Sequence, residues 1–240
     1  MRFTPVQSSL NVLQGIPGAK SLARILRLAA NADFRAVEQL RRDRDQRLLQ
    51  PFPTTAENRY PALFDAVAQL LADNPEPRVL SFGCSSGEEV RAVRNRLPSA
   101  RIIGVDINPR MIKMARRRDP EGDYRLSARP PSHGAFDAIF AMAVFRHGDL
   151  EASRPQNCAS ILSFKQFSEG VSALDDVMVS GGYLAIGNAH FRFADTATAR
   201  LYDVVPLESA QPAPDLVYGP DNERLTEVAD NQLLFRKVRA

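Results

Sequence analysis

Residues 78 to 90 read Arg-Val-Leu-Ser-Phe-Gly-Cys-Ser-Ser-Gly-Glu-Glu-Val, and this run limits the fold more than any other part of the chain. An apolar strand (Val79, Leu80, Phe82) passes directly into a turn of Gly and Ser. The turn opens a helix whose first turn carries Glu88 and Glu89. Gly83 and Gly87 lack a Cβ, so the backbone there can turn sharply and lie close against a ligand. Arg101-Ile-Ile-Gly-Val-Asp106 follows as a second apolar strand ending in a carboxylate. Strand, glycine turn, helix, strand and terminal acid together specify a nucleoside-binding βαβ unit.

The rest of the chain extends this unit. Residues 19–49 read as two helices, the first with an apolar face of Leu22, Ile25, Leu26, Leu28 and Ala29. Pro51 and Pro53 make a joint. Asn58 is placed to cap a helix over 59–73, with Pro61 in its first turn. Strands are expected at 78–82, 101–106, near 124–127, at 137–144 and at 183–188, with helices at 87–97, 109–118 and 159–179. The run 137–144 is almost continuously apolar, as a central parallel strand covered on both faces requires. Gly181-Gly182 reads as the stop of the last helix. Two extended tail segments, 201–206 and 232–238, suggest an antiparallel pair.

Gly83-Cys-Ser-Ser-Gly-Glu-Glu89 resembles motif I of the class I S-adenosylmethionine-dependent methyltransferases, most nearly in the variant of the chemotaxis-receptor enzymes. Val105-Asp-Ile-Asn-Pro109 resembles motif II. The likeness covers roughly residues 60–191. It implies an α/β fold: a Rossmann-like class I methyltransferase sheet, mostly parallel with an antiparallel last strand, plus N-terminal helices. Residues 1–57 would form a helical extension or lid, and 58–240 the domain that binds S-adenosylmethionine and releases S-adenosylhomocysteine.

The resemblance implies the following site. Gly83, Cys84, Ser85 and Gly87 would pass beneath the amino-acid and ribose parts of the cofactor. Asp106 would accept both ribose hydroxyls, a geometry that selects a free cis-diol; it would alternatively cap the next helix, beside Asn108 and Pro109. Ile107 and Asn108 would flank the adenine, and Ser127 would meet its edge where many members carry an acid. Met142 and Ala143 would form the floor under the methyl group. Many members also begin motif I with an acid; this chain has Ser81, and Glu88 or an ordered water is the expected substitute. Arg59 and Tyr60 would face the acceptor. His147 and His190 are the candidates for general base, His147 with loop packing or capping as the alternative. Arg192 suits a carboxylate or phosphate, with an exposed loop as its alternative reading. No metal is expected, since two cysteines, Cys84 and Cys158, make neither a zinc site nor a disulfide framework. His133 reads as a surface loop residue.

Composition excludes more than it selects. Of 240 residues 44% are apolar, ordinary for a globular protein, and no run approaches a membrane helix. The N-terminus lacks a secretory signal, so a cytoplasmic location is expected. The net charge is +3, and arginines gather in residues 20–47. They are interleaved with acids and only one aromatic residue, Phe34, which argues for a solvated helix rather than a nucleic-acid face. A nicotinamide oxidoreductase would need Gly-x-Gly-x-x-Gly, whereas here Gly-x-x-x-Gly precedes Glu88, and a carboxylate beside a pyrophosphate is unfavourable. The reading is methyl transfer to an O, N or C acceptor by direct displacement, a small molecule being preferred. A chemotaxis-type protein carboxyl methyltransferase and a non-catalytic nucleoside- or partner-binding module are the alternatives. The sequence is silent on oligomeric state.

Overall fold

The computed structural model describes residues 31–42, 48–132, 134–207, 214–226 and 232–238. The first expected helix, most of the basic N-terminal run and His133 lie outside them. The described chain builds a seven-stranded sheet from β1 (Arg78–Phe82), β2 (Arg101–Asp106), β3 (Asp123–Leu126), β4 (Phe136–Met142), β5 (Met178–Gly187), β6 (Tyr202–Val204) and β7 (Leu234–Lys237). The spatial order is β3-β2-β1-β4-β5-β7-β6. All neighbours from β3 to β5 are parallel, and β7 runs antiparallel between β5 and β6. This is the expected Rossmann-like sheet, mostly parallel with antiparallel strands at its tail edge. Its order reverses between β1 and β4, which opens a crevice beyond the carboxyl ends of those strands.

Helices α1 (Ala32–Arg42), α2 (Pro61–Leu70), α3 (Glu88–Arg94), α4 (Pro109–Arg118), α5 (Gly148–Ser153) and α6 (Phe164–Asp175) accompany the sheet. Alternation along the strands divides the interior into two layers. Val79, Ala138 and Phe140 pack with Leu63, Phe64 and Val67 of α2, Val90 and Val93 of α3 and Ile112 of α4. Leu80, Ile139 and Ala141 face the other way, onto Phe167, Val171 and Leu174 of α6 and onto the tail residues Tyr218 and Phe235. A strand buried on both faces needs an apolar run, which β4 has from Ala138 to Met142.

Three local expectations are corrected. Asn58 does not cap α2: it holds a left-handed backbone at φ 47°, and the N-cap is Tyr60, whose side chain makes no capping bond. The helix expected over 159–179 is only Phe164–Asp175. It starts at a capping box in which Ser163 Oγ accepts from Gln166 N and the Gln166 side chain bonds back to the Ser163 backbone. Gly181-Gly182 does not stop that helix but lies inside β5. Partners of Phe136 and Ala138 on β4 are Met178 and Tyr183 on β5, so four β5 residues bulge out opposite one of β4, and Gly181 supplies the positive φ of 82°.

Phe167 anchors the second layer, its ring 4.9 Å from that of Phe145 and 5.3 Å from that of Phe191, between centroids. Truncating a buried aromatic costs both the transfer of the ring and the cavity it leaves. Phe167→Ala is therefore expected to lower unfolding free energy by about 3–5 kcal/mol, read from equilibrium urea denaturation.

Candidate functional site

The glycine turn is tied to the next strand before any side chain joins in. Gly83 N and Cys84 N both donate to Val105 O, at 2.7 and 2.9 Å. Gly83, Ser85 and Gly87 take positive φ values of 79°, 49° and 87°. The carboxylate of Asp106 then fixes the turn. Its Oδ2 accepts from Ser85 N at 2.8 Å, and its Oδ1 from Asn108 N at 2.7 Å. Burial raises the pKa of this acid, and the two N–H donors work against that rise. Each oxygen keeps lone-pair capacity for a ligand hydroxyl. The cap of α4 falls to Asn108, whose Oδ1 accepts from Arg110 N at 3.0 Å, with Pro109 opening the helix.

Two adjoining lobes lie over this turn and share Thr54, Gly83, Ser85 and Met142. The larger encloses about 650 Å³, its open mouth included. Its floor holds Asp106, Ile107, Asn108, Ser127 and Ala143, and its roof is the segment 49–54, with Pro51, Phe52 and Pro53. The smaller, about 380 Å³ on the same measure, is lined by Arg59, Tyr60, Cys84 and Glu89. Of the ten residues expected to hold a cofactor, nine line one lobe or the other. Gly87 lines neither: it is the left-handed N-cap of α3, and a Cβ there would come within 2.6 Å of Tyr124 Oη. Ser127 Oγ is engaged in its own loop, donating to Arg129 O at 2.8 Å and accepting from Arg129 N at 3.0 Å.

The acid absent from position 81 is supplied from the helix, and by a different residue from the one expected. Glu88 turns away, to Arg118 Nη1 at 2.6 Å and Ser86 Oγ at 2.8 Å. Glu89 instead accepts from Ser81 Oγ at 2.7 Å and faces the smaller lobe. Burial lifts its pKa to about 7, against the pull of the Ser81 hydroxyl and the Arg59 charge. The sequence held the signal: one helical step decides which of two adjacent glutamates points back at strand β1. Ser81, buried beneath, is the partner that selects it.

The two histidines occupy framework positions. His147 is the N-cap of α5, with its Nδ1 accepting from Asp149 N at 3.2 Å, and burial lowers its pKa to about 4. His190 is fully buried. Its Nδ1 lies 3.0 Å from Leu216 O and its Nε2 3.3 Å from His147 O, so it joins the loop after β4 to the tail. Burial lowers its pKa, against those carbonyls and nearby Glu151. Arg192 lies away from both lobes, bonded through Nε to Asp195 Oδ2 at 2.9 Å.

Three buried polar atoms around the lobes have no hydrogen-bond partner: Tyr60 Oη, Ser85 Oγ and Asn108 Nδ2. An unmade hydrogen bond costs about 1–3 kcal/mol at a buried donor, so such a cluster marks a surface shaped for a polar ligand.

Residues 79–163 match the sequence model of a family described as "Methyltransferase domain". The chain is also similar to a trans-aconitate 2-methyltransferase of Rhodopseudomonas palustris, 35% identical over 85 residues. That stretch is 34% of this chain and 32% of the relative. Its counterpart from Variovorax paradoxus is 34% identical over 84 residues, 32% of each chain. The chain thus spans about a third of the length of the curated relatives it matches. A solved structure of the plantazolicin methyltransferase BpumL in complex with SAH aligns over 76% of this chain and 62% of its own, with TM-score 0.41 and 14% identity.

Gly87 shapes the site through the backbone. Gly87→Ala must hold a left-handed conformation against the Tyr124 hydroxyl, so a stability loss of about 1–3 kcal/mol is expected in thermal or urea unfolding.

Proposed function

We propose that this chain is a methyltransferase that uses S-adenosylmethionine. The observation that carries the reading is the two-lobed cleft over the Asp106 turn, edged by three unpartnered polar atoms. The larger lobe suits the adenosine. Asp106 meets the ribose diol, Asn108 Nδ2 has a donor for the base, and Ile107 and Ala128 cover its faces. The smaller lobe suits the charged amino-acid end, with Glu89 for the ammonium, Arg59 for the carboxylate and Ser85 Oγ between them. The methionine sulfonium, when bound, supplies an activated methyl group. The protein's part is to orient that group over Met142 and Ala143 and to exclude water with the roof 49–54. Helix α1 bears on this roof and floor: Arg41 pairs with Asp149 and lies 4.9 Å over the Phe52 ring, and Arg110 of α4 pairs with Asp33 at 2.5 Å. The described part of the N-terminal segment, α1 and the roof 49–54, thus acts as a lid.

A small-molecule acceptor is the better reading, because the curated relatives that match are named for trans-aconitate. The likeness to chemotaxis-receptor enzymes rests on residues 83–89 alone. Nothing in the cleft favours a protein acceptor.

Calorimetry with S-adenosylmethionine and S-adenosylhomocysteine tests the reading. Failure of the folded protein to take up either would end it, and binding without turnover on any acceptor would favour a binding module. Asp106→Ala is expected to weaken affinity at least about tenfold, as loss of charge-assisted bonds to a diol requires. Undiminished uptake would sink the assignment.

Glu89 makes binding depend on pH. Its pKa is raised on folding, so the unfolded chain loses the proton first, and stability falls as pH rises from 4.5 to about 7. A ligand ammonium favours the ionised acid. Affinity should therefore rise between pH 6 and pH 8 in the native protein, and more steeply than in Glu89→Gln, by titration calorimetry across that range. Parallel profiles would remove Glu89 from the ammonium site.

A further inference from the structure

At the end where Ile107, Ser127 and Ala128 stand, the larger lobe adjoins a further cavity. The same three residues line both. This annex encloses about 1310 Å³, its open mouth included, and lies between α1 and the carboxyl end of β3.

The way α1 is mounted leaves the space. Arg110 of α4 pairs with Asp33 in the first turn of α1 at 2.5 Å, and Arg41 in the last turn pairs with Asp149 of α5. Between these two attachments the helix turns Ala32, Ala36 and Leu40 to the annex. Positions four apart share one helical face, so this wall carries a methyl group at two of its three steps. On the opposite wall Leu126 is 55% exposed, a large apolar side chain that α1 does not cover.

No acid guards the passage between lobe and annex. Where many members of the resembling family carry one, Ser127 spends its proton on Arg129 O at 2.8 Å and a lone pair on Arg129 N at 3.0 Å. The charged side chains among the described residues lining the annex are Arg35 and Arg110, which donate only. A carboxylate here would take a hydrogen of a purine 6-amino group and fill the space beside it. Without one, neither charge nor bulk closes the site around that nitrogen. The unpartnered buried donor of the larger lobe, Asn108 Nδ2, suits a ring nitrogen and makes no demand on the amino group.

Resting on the proposed use of S-adenosylmethionine, we infer that the annex is a subsite for an apolar group carried on the 6-amino nitrogen of the purine. The ligands it takes are S-adenosyl compounds extended there by a group of about the size of a benzyl ring. Such a group lies between Ala36 and Leu126, where its burial removes apolar surface from water on both sides. Recognition is then uneven along the ligand. The Asp106 carboxylate fixes the ribose diol, and the 6-position is left unread.

Calorimetry on the full chain compares S-adenosylhomocysteine with its N6-benzyl and 2′-O-methyl derivatives. The N6-benzyl compound should bind within about fivefold of the parent, or more tightly. The 2′-O-methyl compound should lose about tenfold or more, because the ether removes a hydroxyl donor from Asp106. Filling the annex should separate the ligands. Ala36→Phe and Leu126→Trp should each weaken the N6-benzyl compound about tenfold or more and leave the parent within about twofold, which reports an intact fold. A loss above about fivefold for the N6-benzyl compound in the native protein would overturn the annex. So would equal tolerance of the two derivatives, the mark of a loose site, or unchanged N6-benzyl affinity in both filled variants. A folded native protein that binds none of the three compounds would instead overturn the cofactor reading beneath it.

Discussion

The carboxylate of Asp106 receives the backbone N–H of Ser85 on one oxygen and that of Asn108 on the other. This pair of bonds locks the turn after β1 to the turn after β2, at the point where the sheet order reverses. Gly83 and Ser85 can sustain left-handed backbones there because both ends of the turn are held, by Val105 O before it and by the acid within it. The group expected to grip a ribose is therefore also the group that builds the floor beneath it. Its remaining lone pairs face the larger lobe, and its raised pKa is a consequence of that burial.

Charge across the cleft is arranged in sequence. Asp106 lies under the larger lobe, Glu89 and Arg59 oppose one another in the smaller, and Arg146 stands beyond, at the ends of β4 and β5. Ser81 is central to this order: a small hydroxyl on β1 draws in the acid of α3, so the carboxylate reaches the smaller lobe from a helix rather than from a strand.

Most of the scaffold was legible because its signals are local. β1 and β2 fall at the expected residues, as does α4, since apolar runs bounded by glycine, asparagine and proline leave few alternatives. Gly181-Gly182 misled for a physical reason. A glycine pair after a helical pattern ends a helix or bulges a strand equally well, and the register of β4 made the choice. The capping box at Ser163 and Gln166 was present in the sequence and would have set the start of α6. Site residues divide along the same line. Those in the turn and after β2 follow the chain, and nine of ten reach a lobe. Those farther along, His147, His190 and Arg192, were chosen for their chemistry; His147 and Arg192 are engaged by residues two and three positions on, and His190 by carbonyls 26 and 43 residues away.

The sequence by itself determined the strand–turn–helix–strand unit, the acid at 106 and the antiparallel tail, because each depends on periodicity and on glycine or proline geometry within a few residues. Only the tertiary structure decided that Ser81 takes Glu89 rather than Glu88 as its partner, that His190 lies buried between two backbone carbonyls, and that Arg146 reaches Asn188. Those outcomes depend on burial and on contacts between different elements, 8 residues apart for Ser81 and Glu89, 42 for Arg146 and Asn188 and 43 for His190 and His147, and a one-dimensional pattern does not carry how such elements pack.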